Sequence, residues 1–309
     1  MPSYYRSRNG GFVVAAAITK YVFIAVNRNF DEELLLKYSQ IERVRTPLEA
    51  QHPLLREILV ATGFESGIEI SSMADIPAGT GLGSSGAFTV GTLNALRAHR
   101  RELVSNLQLA EQACCIEIDR LSEPIGKQDQ YIAAVGGITA FEFSPDDSVT
   151  VSSLELAADT RHRLEENLLL FFTGIRRSAS HVLATEMNAA DTMELDLAMN
   201  LDAVKALGRD AAHVLAKGDL DSFGELLTAQ WDTKLHRSPT RVHRQADDWI
   251  RAGINAGAVG GKLVGAGDGG FLLFYAVDKT RLRETMTAAG LDEVRFGVDY
   301  RGTNVIVDE

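Results

Sequence analysis

Cysteine is almost absent from this chain of 309 residues: only Cys114 and Cys115 occur, side by side. Adjacent cysteines rarely bridge each other and give no metal-ligand spacing, which argues against a disulfide scaffold and against a zinc module. Long apolar runs are missing too. None reaches the ~20 residues that a membrane-spanning helix needs, and the opening Met1-Pro-Ser-Tyr-Tyr-Arg-Ser-Arg8 lacks the apolar segment of a secretory signal. There is no basic excess: 31 Lys and Arg stand against 42 Asp and Glu, a formal net charge of −11. A generic nucleic-acid binder carries the opposite balance. The expectation is a cytoplasmic protein with neither nucleic acid nor membrane as partner.

What is present is ordinary globular material, with 45% hydrophobic and 24% charged residues. The length exceeds one ordinary core and predicts two domains, 1–155 and 156–309. Phe12–Ile18 and Tyr21–Asn27 are β-rich runs, and the Thr19-Lys20 break between them predicts a hairpin. A third short strand is expected at Gly67–Ser71, then helices over Gly86–His99 and Ser105–Leu121, with Ser105 as N-cap. Strands Gly137–Phe143 and Val149–Ser153 follow, and a polar break at Ala158–Thr160 leads to the apolar strand Leu168–Phe172. Helical patterns run from Ser180 to about Ala256. Strands Ala258–Val264 and Gly270–Tyr275, a helix from Thr280, and closing strands Val294–Val298 and Asn304–Val307 complete the reading. Strands and helices mixed without strict alternation predict an α+β fold.

The most informative segment is Pro77-Ala-Gly-Thr-Gly-Leu-Gly-Ser-Ser-Gly86, placed after a strand and before a helix. Gly79, Gly81 and Gly83 let backbone N–H groups come close to a ligand, and Ser84 and Ser85 open the helix, whose N-terminus favours anions. The loop is neither a Walker A sequence nor a dinucleotide fingerprint. On the next helix, Ala110, Ala113, Cys114, Glu117, Ile118 and Leu121 share one face, so Glu117 is predicted inside a small, apolar stripe. A carboxylate there needs a cation, a hydrogen-bond donor or a raised pKa. Twelve residues on, Asp129 stands in Glu123-Pro-Ile-Gly-Lys-Gln-Asp-Gln-Tyr131, where it either caps a short helix or serves chemistry. A phosphate-type loop with two acids on neighbouring elements points to a Mg²⁺–nucleotide site with a base. A second glycine loop, Gly260-Gly-Lys-Leu-Val-Gly-Ala-Gly-Asp-Gly-Gly270, joins two strands. With one such loop in each predicted domain, a ligand held between the domains is expected.

These residues carry a resemblance. Pro77–Gly86 resembles the second signature motif of the GHMP kinases (galactokinase, homoserine kinase, mevalonate kinase and phosphomevalonate kinase), and Gly260–Gly270 resembles their third. Within that superfamily, Glu123–Tyr131, Thr173-Gly-Ile-Arg-Arg-Ser-Ala-Ser180 and Trp231-Asp-Thr-Lys234 are most similar to the D-glycero-D-manno-heptose 7-phosphate kinases. The resemblance implies an N-terminal domain like the second domain of ribosomal protein S5, a ferredoxin-like C-terminal domain, and ATP-dependent phosphorylation of the anomeric hydroxyl to heptose 1,7-bisphosphate. Another sugar acceptor, galactokinase- or fucokinase-like, and a paralogue that binds ligand without turnover are the alternatives.

Carried over position by position, the resemblance has Pro77, Gly79, Gly81, Leu82, Gly83, Ser84 and Ser85 bind ATP. Ser85 and Glu117 hold Mg²⁺, and Asp129 accepts or orients the attacking hydroxyl. Gly265 and Gly267 approach the acceptor, and Arg177 is the natural fork of donors for the sugar phosphate, with Lys234 as a further candidate. Two departures stand out. Asp268 occupies a position that the family usually gives to a small residue. The family also places a strand with a basic residue and a turn ending in Thr-Asp just ahead of the counterpart of Pro2. The chain starts after it, which predicts an exposed sheet edge, self-association (a homodimer in its simplest form) and Lys127 as the nearest basic residue to Asp129.

Overall fold

Two groups of segments pack separately in the computed structural model, which describes residues 2–8, 10–175, 194–237, 240–265 and 269–307. The first unit gathers residues 1–16, 78–82 and 138–298; the second gathers 17–77, 83–137 and 299–309. No single cut in the chain separates them. In chain order the elements are α1 (Pro2–Ser7), β1 (Gly11–Ala16), β2 (Val22–Arg28), β3 (Leu34–Lys37), β4 (Ile41–Val44), α2 (Pro53–Thr62), β5 (Ile68–Ala74) and α3 (Ser84–His99). Then come α4 (Asn106–Cys114), a π-helical turn (Cys115–Arg120), α5 (Gln128–Val135), β6 (Ile138–Phe143), β7 (Val149–Ser153), α6 (Ala158–Asn167) and β8 (Leu168–Phe172). Helices α7 (Glu194–Lys217), α8 (Leu220–Arg237) and α9 (Arg241–Asn255), strands β9 (Gly260–Leu263) and β10 (Phe271–Tyr275), α10 (Thr280–Ala288) and β11 (Asp292–Glu293) follow. The fold is α+β, as the sequence predicts.

In the second unit a mixed sheet runs β2-β5-β3-β4, with β5 antiparallel to β2 and parallel to β3. Leu34, Leu35 and Leu36 of β3 are all buried, as suits an inner strand. Helix α3 lies on β2, close enough that a Cβ on Gly91 would touch the Ile24 side chain at 3.4 Å. Ser105 caps α4 through a full capping box with Gln108, as expected.

The first unit holds two antiparallel sheets, β1-β6-β7 and β11-β8-β10-β9. The second of these carries the larger apolar core, with Phe171, Trp231, Ile250, Leu272 and Phe274. The five apolar residues of β8 read as a central strand and are one, between β11 and β10. Helix α8 packs so tightly on β9 that a Cβ on Gly260 would fall 1.9 Å from the Gly224 carbonyl oxygen.

Four expectations need correction. The runs at 12–18 and 21–27 do not form a hairpin: β1 pairs with β6 and β2 with β5, because Ala17–Tyr21 carries the chain into the other unit instead of back along the same sheet. The polar break at Ala158–Thr160 is the first turn of α6, whose polar residues cover few buried positions. The helix expected over 105–121 stops being α-helical at Cys114 and widens into the π turn. No closing strands form over 294–298 or 304–307. Val294 donates once to the Leu170 carbonyl, Val298 makes only an isolated bridge, and Thr303 donates to the Ala134 carbonyl at the end of α5, so the segment pairs at single points and builds no strand. The continuous helical pattern from 180 to 256 resolves, from residue 194 on, into α7, α8 and α9; residues 180–193 lie outside the described ones.

Candidate active site

Helix α3 begins where the glycine loop ends. Gly79, Gly81 and Gly83 have φ of 77°, 79° and 72°, backbone that side chains rarely adopt, which is why three glycines alternate here. Gly83 caps α3 without any side chain of its own, so the first N–H groups of this 16-residue helix are left to a ligand or to water. Pro77 and Ser85 are exposed, Leu82 and Ser84 half-buried.

Glu117 sits on the π turn and is 1% exposed. The wider turn buries Ile116 and Glu117, whereas the regular α-helical spacing predicted Ile118 in that row; Ile118 is only half-buried. Burial pushes the Glu117 carboxyl up, against hydrogen bonds from Gln130, Ser85 and Thr89, and the charge of Asp129 adds to the rise. The Gln130 amide donates to Oε1 of Glu117 at 2.9 Å. The other amide atom, Gln130 Oε1, is buried and has no partner among the described residues.

Asp129 lies in the first turn of α5, in contact with the N-terminus of α3. A Cβ on Gly83 would come within 3.1 Å of the Asp129 carboxyl carbon, and one on Gly86 within 3.0 Å of the 129–130 peptide bond. Glycine at both positions is what lets α3 and α5 meet. Loss of hydration raises the Asp129 carboxyl as well. Lys127, the basic residue nearest in sequence, acts electrostatically on the Cys114 thiol.

In the first unit, residues 80–81 of the glycine loop meet the second one, backbone against backbone. A Cβ on Gly265 (φ 79°) would lie 2.4 Å from the Gly81 carbonyl oxygen, and one on Gly270 (φ 99°) 2.0 Å from that of Thr80. Lys234 donates to the Gly265 carbonyl at 2.6 Å.

Of the residues read from the sequence, Ser85, Glu117 and Asp129 come together in the second unit, and Gly81, Gly265 and Lys234 in the first. Arg177, Gly267 and Asp268 lie outside the described residues. Sequence reasoning missed Thr89 and Gln130. Thr89 stands one turn after Ser85 on α3, and Gln130 directly follows Asp129, so spacing alone could have proposed both. Among the described residues there is no cluster of three or more His, Cys, Asp and Glu that could hold a metal.

Residues 46–137 match the family profile described as GHMP kinases N terminal domain, and residues 211–291 the one described as GHMP kinases C terminal. The chain is 29% identical over 215 residues to the D-glycero-alpha-D-manno-heptose 7-phosphate kinase of Campylobacter jejuni, covering 69% of this chain and 62% of that protein. It is 27% identical over 263 residues to the bifunctional fucokinase/GDP-fucose pyrophosphorylase of Arabidopsis thaliana, covering 78% of this chain and 24% of that one. The matched part is therefore less than two thirds of either relative. Among solved structures, a D-glycero-D-manno-heptose 1-phosphate kinase from Bacteroides thetaiotaomicron is similar at a TM-score of 0.74 and 22% identity, over 96% of this chain and 91% of that one. At that identity the likeness is one of fold.

Proposed function

The chain belongs to the GHMP kinase family, and on that premise we propose that it transfers the terminal phosphoryl group of ATP to a sugar phosphate. The acceptor in this reading is D-glycero-D-manno-heptose 7-phosphate, phosphorylated on its anomeric hydroxyl to the 1,7-bisphosphate used for activated-heptose synthesis. The observation that carries it is the meeting of Asp129 with the uncapped N-terminus of α3, beside the buried Glu117. Such a helix end favours phosphate, and a carboxylate at its mouth is placed to act on the incoming hydroxyl.

The roles follow from chemistry. Backbone N–H groups of residues 79–85 bind the ATP phosphates, and the left-handed glycines leave them uncovered. Asp129 takes the proton of the attacking hydroxyl or orients it; burial makes its carboxylate more basic, which suits that task. Mg²⁺ fits the oxygen donors present: the Ser85 hydroxyl, the Glu117 carboxylate and the orphaned Gln130 Oε1 nearby. When bound, it neutralises charge on the transferring phosphates. Ser85 and Glu117 would hold it, and because so few protein ligands are offered, the phosphates themselves would complete its shell. Gly265, Gly267, Arg177 and Lys234 are proposed on the acceptor side.

Incubation of the protein with ATP, Mg²⁺ and a panel of sugars and sugar phosphates, read by phosphorus NMR, tests this reading. The expected product carries a new phosphate on the anomeric carbon of heptose 7-phosphate. Turnover of fucose alone would favour the fucokinase-like acceptor, which the similarity to the Arabidopsis protein supports. Ligand binding without turnover of any acceptor would identify a non-catalytic paralogue.

A further inference from the structure

Lys262 is a cation with little to balance it. It projects from β9 and donates to the Gln230 side-chain carbonyl of α8 at 2.7 Å. An ammonium has three donors, so this bond uses one of them. Among the described residues no carboxylate forms an ion pair with it, and burial pushes its pKa down to about 8. Lys262 lines a hollow of about 130 Å³ together with Lys234, Gln230, Trp231 and Val204. Two amines thus border one small space, and among the described residues that line it none is acidic. Gly265 forms the rim of the same hollow, receives the Lys234 hydrogen bond, and is the residue pressed against Gly81 of the first glycine loop.

We propose that this hollow is the subsite for the phosphate monoester of the acceptor, with Lys262 and Lys234 as its two charged donors. The inference rests on the sugar-phosphate kinase reading above. Size points to the acceptor's phosphate and not to the nucleotide, because the space suits one tetrahedral group and a triphosphate chain is far larger. The dianion supplies what Lys262 lacks: an opposite charge that offsets the cost of holding a half-buried ammonium partly out of water. Lys234 ties the hollow to the loop pair through Gly265, so filling it also fixes the backbone against which Gly81 rests. An acceptor without phosphate brings no opposite charge to Lys262, which makes the hollow a determinant of specificity.

Three forms of the full chain test it: wild type, Lys262→Met and Lys262→Arg, with Lys234→Met as a second route should the first variant fold poorly by circular dichroism. Inorganic phosphate should raise the melting temperature of wild type and Lys262→Arg, and leave Lys262→Met unmoved. With ATP and heptose 7-phosphate, Lys262→Met should raise KM for the sugar phosphate by about tenfold or more, the loss expected for one charge-assisted contact, while KM for ATP stays within about twofold. Lys262→Arg should recover most of that loss. An equal phosphate response in wild type and Lys262→Met would overturn the proposal, as would an unchanged KM for the sugar phosphate, which would mark an adventitious ion only. Failure of wild type to turn over any sugar phosphate, with a Lys262-dependent phosphate response intact, would overturn the kinase reading while supporting the hollow as a phosphate site.

Discussion

The two ends of the glycine loop are held by opposite means. In the second unit, Gly83 and Gly86 lie against Asp129, and a neighbouring carboxylate, Glu117, is kept in place by side-chain hydrogen bonds despite its burial. In the first unit, Gly81 and Thr80 meet Gly265 and Gly270 with nothing but backbone at the contact. One region invests in charge that is poorly solvated, the other in the absence of side chains. The difference teaches that each unit fixes its part of the loop in its own way: a carboxylate carries a cost to the ligand-free fold, whereas glycine packing fixes shape and carries no charge at all.

Breaking the charged side should have the larger effect. Asp129→Asn keeps the volume and removes the base, so turnover should fall by roughly 10²–10⁴-fold with ATP affinity near wild type. Single-turnover kinetics alongside nucleotide titration read both. A loss of only severalfold would assign Asp129 an orienting role, since phosphoryl transfer relies mainly on positioning and charge.

Next comes the backbone side. Gly265→Ala places a methyl where 2.4 Å separates it from the Gly81 carbonyl oxygen, at φ 79°. Left-handed strain and overpacking together predict a destabilisation of about 3 kcal/mol, read as a shift in denaturant midpoint. A change near zero would mean that the two loops can part, and the contrast between the regions would fail.

Glu117→Gln sharpens the comparison through pH. Because burial raises the Glu117 carboxyl in the folded chain, the folded state holds its proton more tightly than the unfolded one. Its stability contribution is therefore full below the ordinary carboxylate range and is lost as pH rises through the raised value. At neutral pH and without ligand, Glu117→Gln should raise the melting temperature by roughly 2–4 °C, the shift that ~1 kcal/mol produces in a domain of this size. The gain should vanish in acid. The same variant should blunt the Mg²⁺ dependence of ATP binding, and an unaltered Mg²⁺ titration would remove Glu117 from metal binding.

The smallest effect belongs to a control at the start of α4, twelve residues before Glu117. Ser105→Ala removes the capping box of α4 and should cost about 1 kcal/mol by chemical denaturation, with kinetic constants unchanged.

Much of the local structure was legible in the chain itself, for reasons that stay local. Alternating glycines followed by serines announce a loop of left-handed turns and the start of α3, because few other residues adopt that backbone. Ser105 with Gln108 announces α4, and the apolar run 168–172 announces β8. Strands β3 and β4 went unread. They span four residues each: β3 is buried without alternation, and in β4 Glu42 is buried while Ile41 and Arg43 are exposed, so no apolar period emerges. The hydrophobic row of α4 was read one residue out at its end, since no residue type marks a π turn.

The sequence by itself determined the α+β class, the two glycine loops and the acids Glu117 and Asp129, since each follows from backbone freedom or periodicity within a short window. Only the tertiary structure decided which strand pairs with which, that α3 meets Asp129 through Gly83 and Gly86, that Gly265 rests on Gly81, that Gln130 is buried with an acceptor to spare, and that the half-buried Lys262 donates to Gln230. These depend on residues far apart in the chain, and their energies arise from desolvation and close contact, which exist only once the chain has packed.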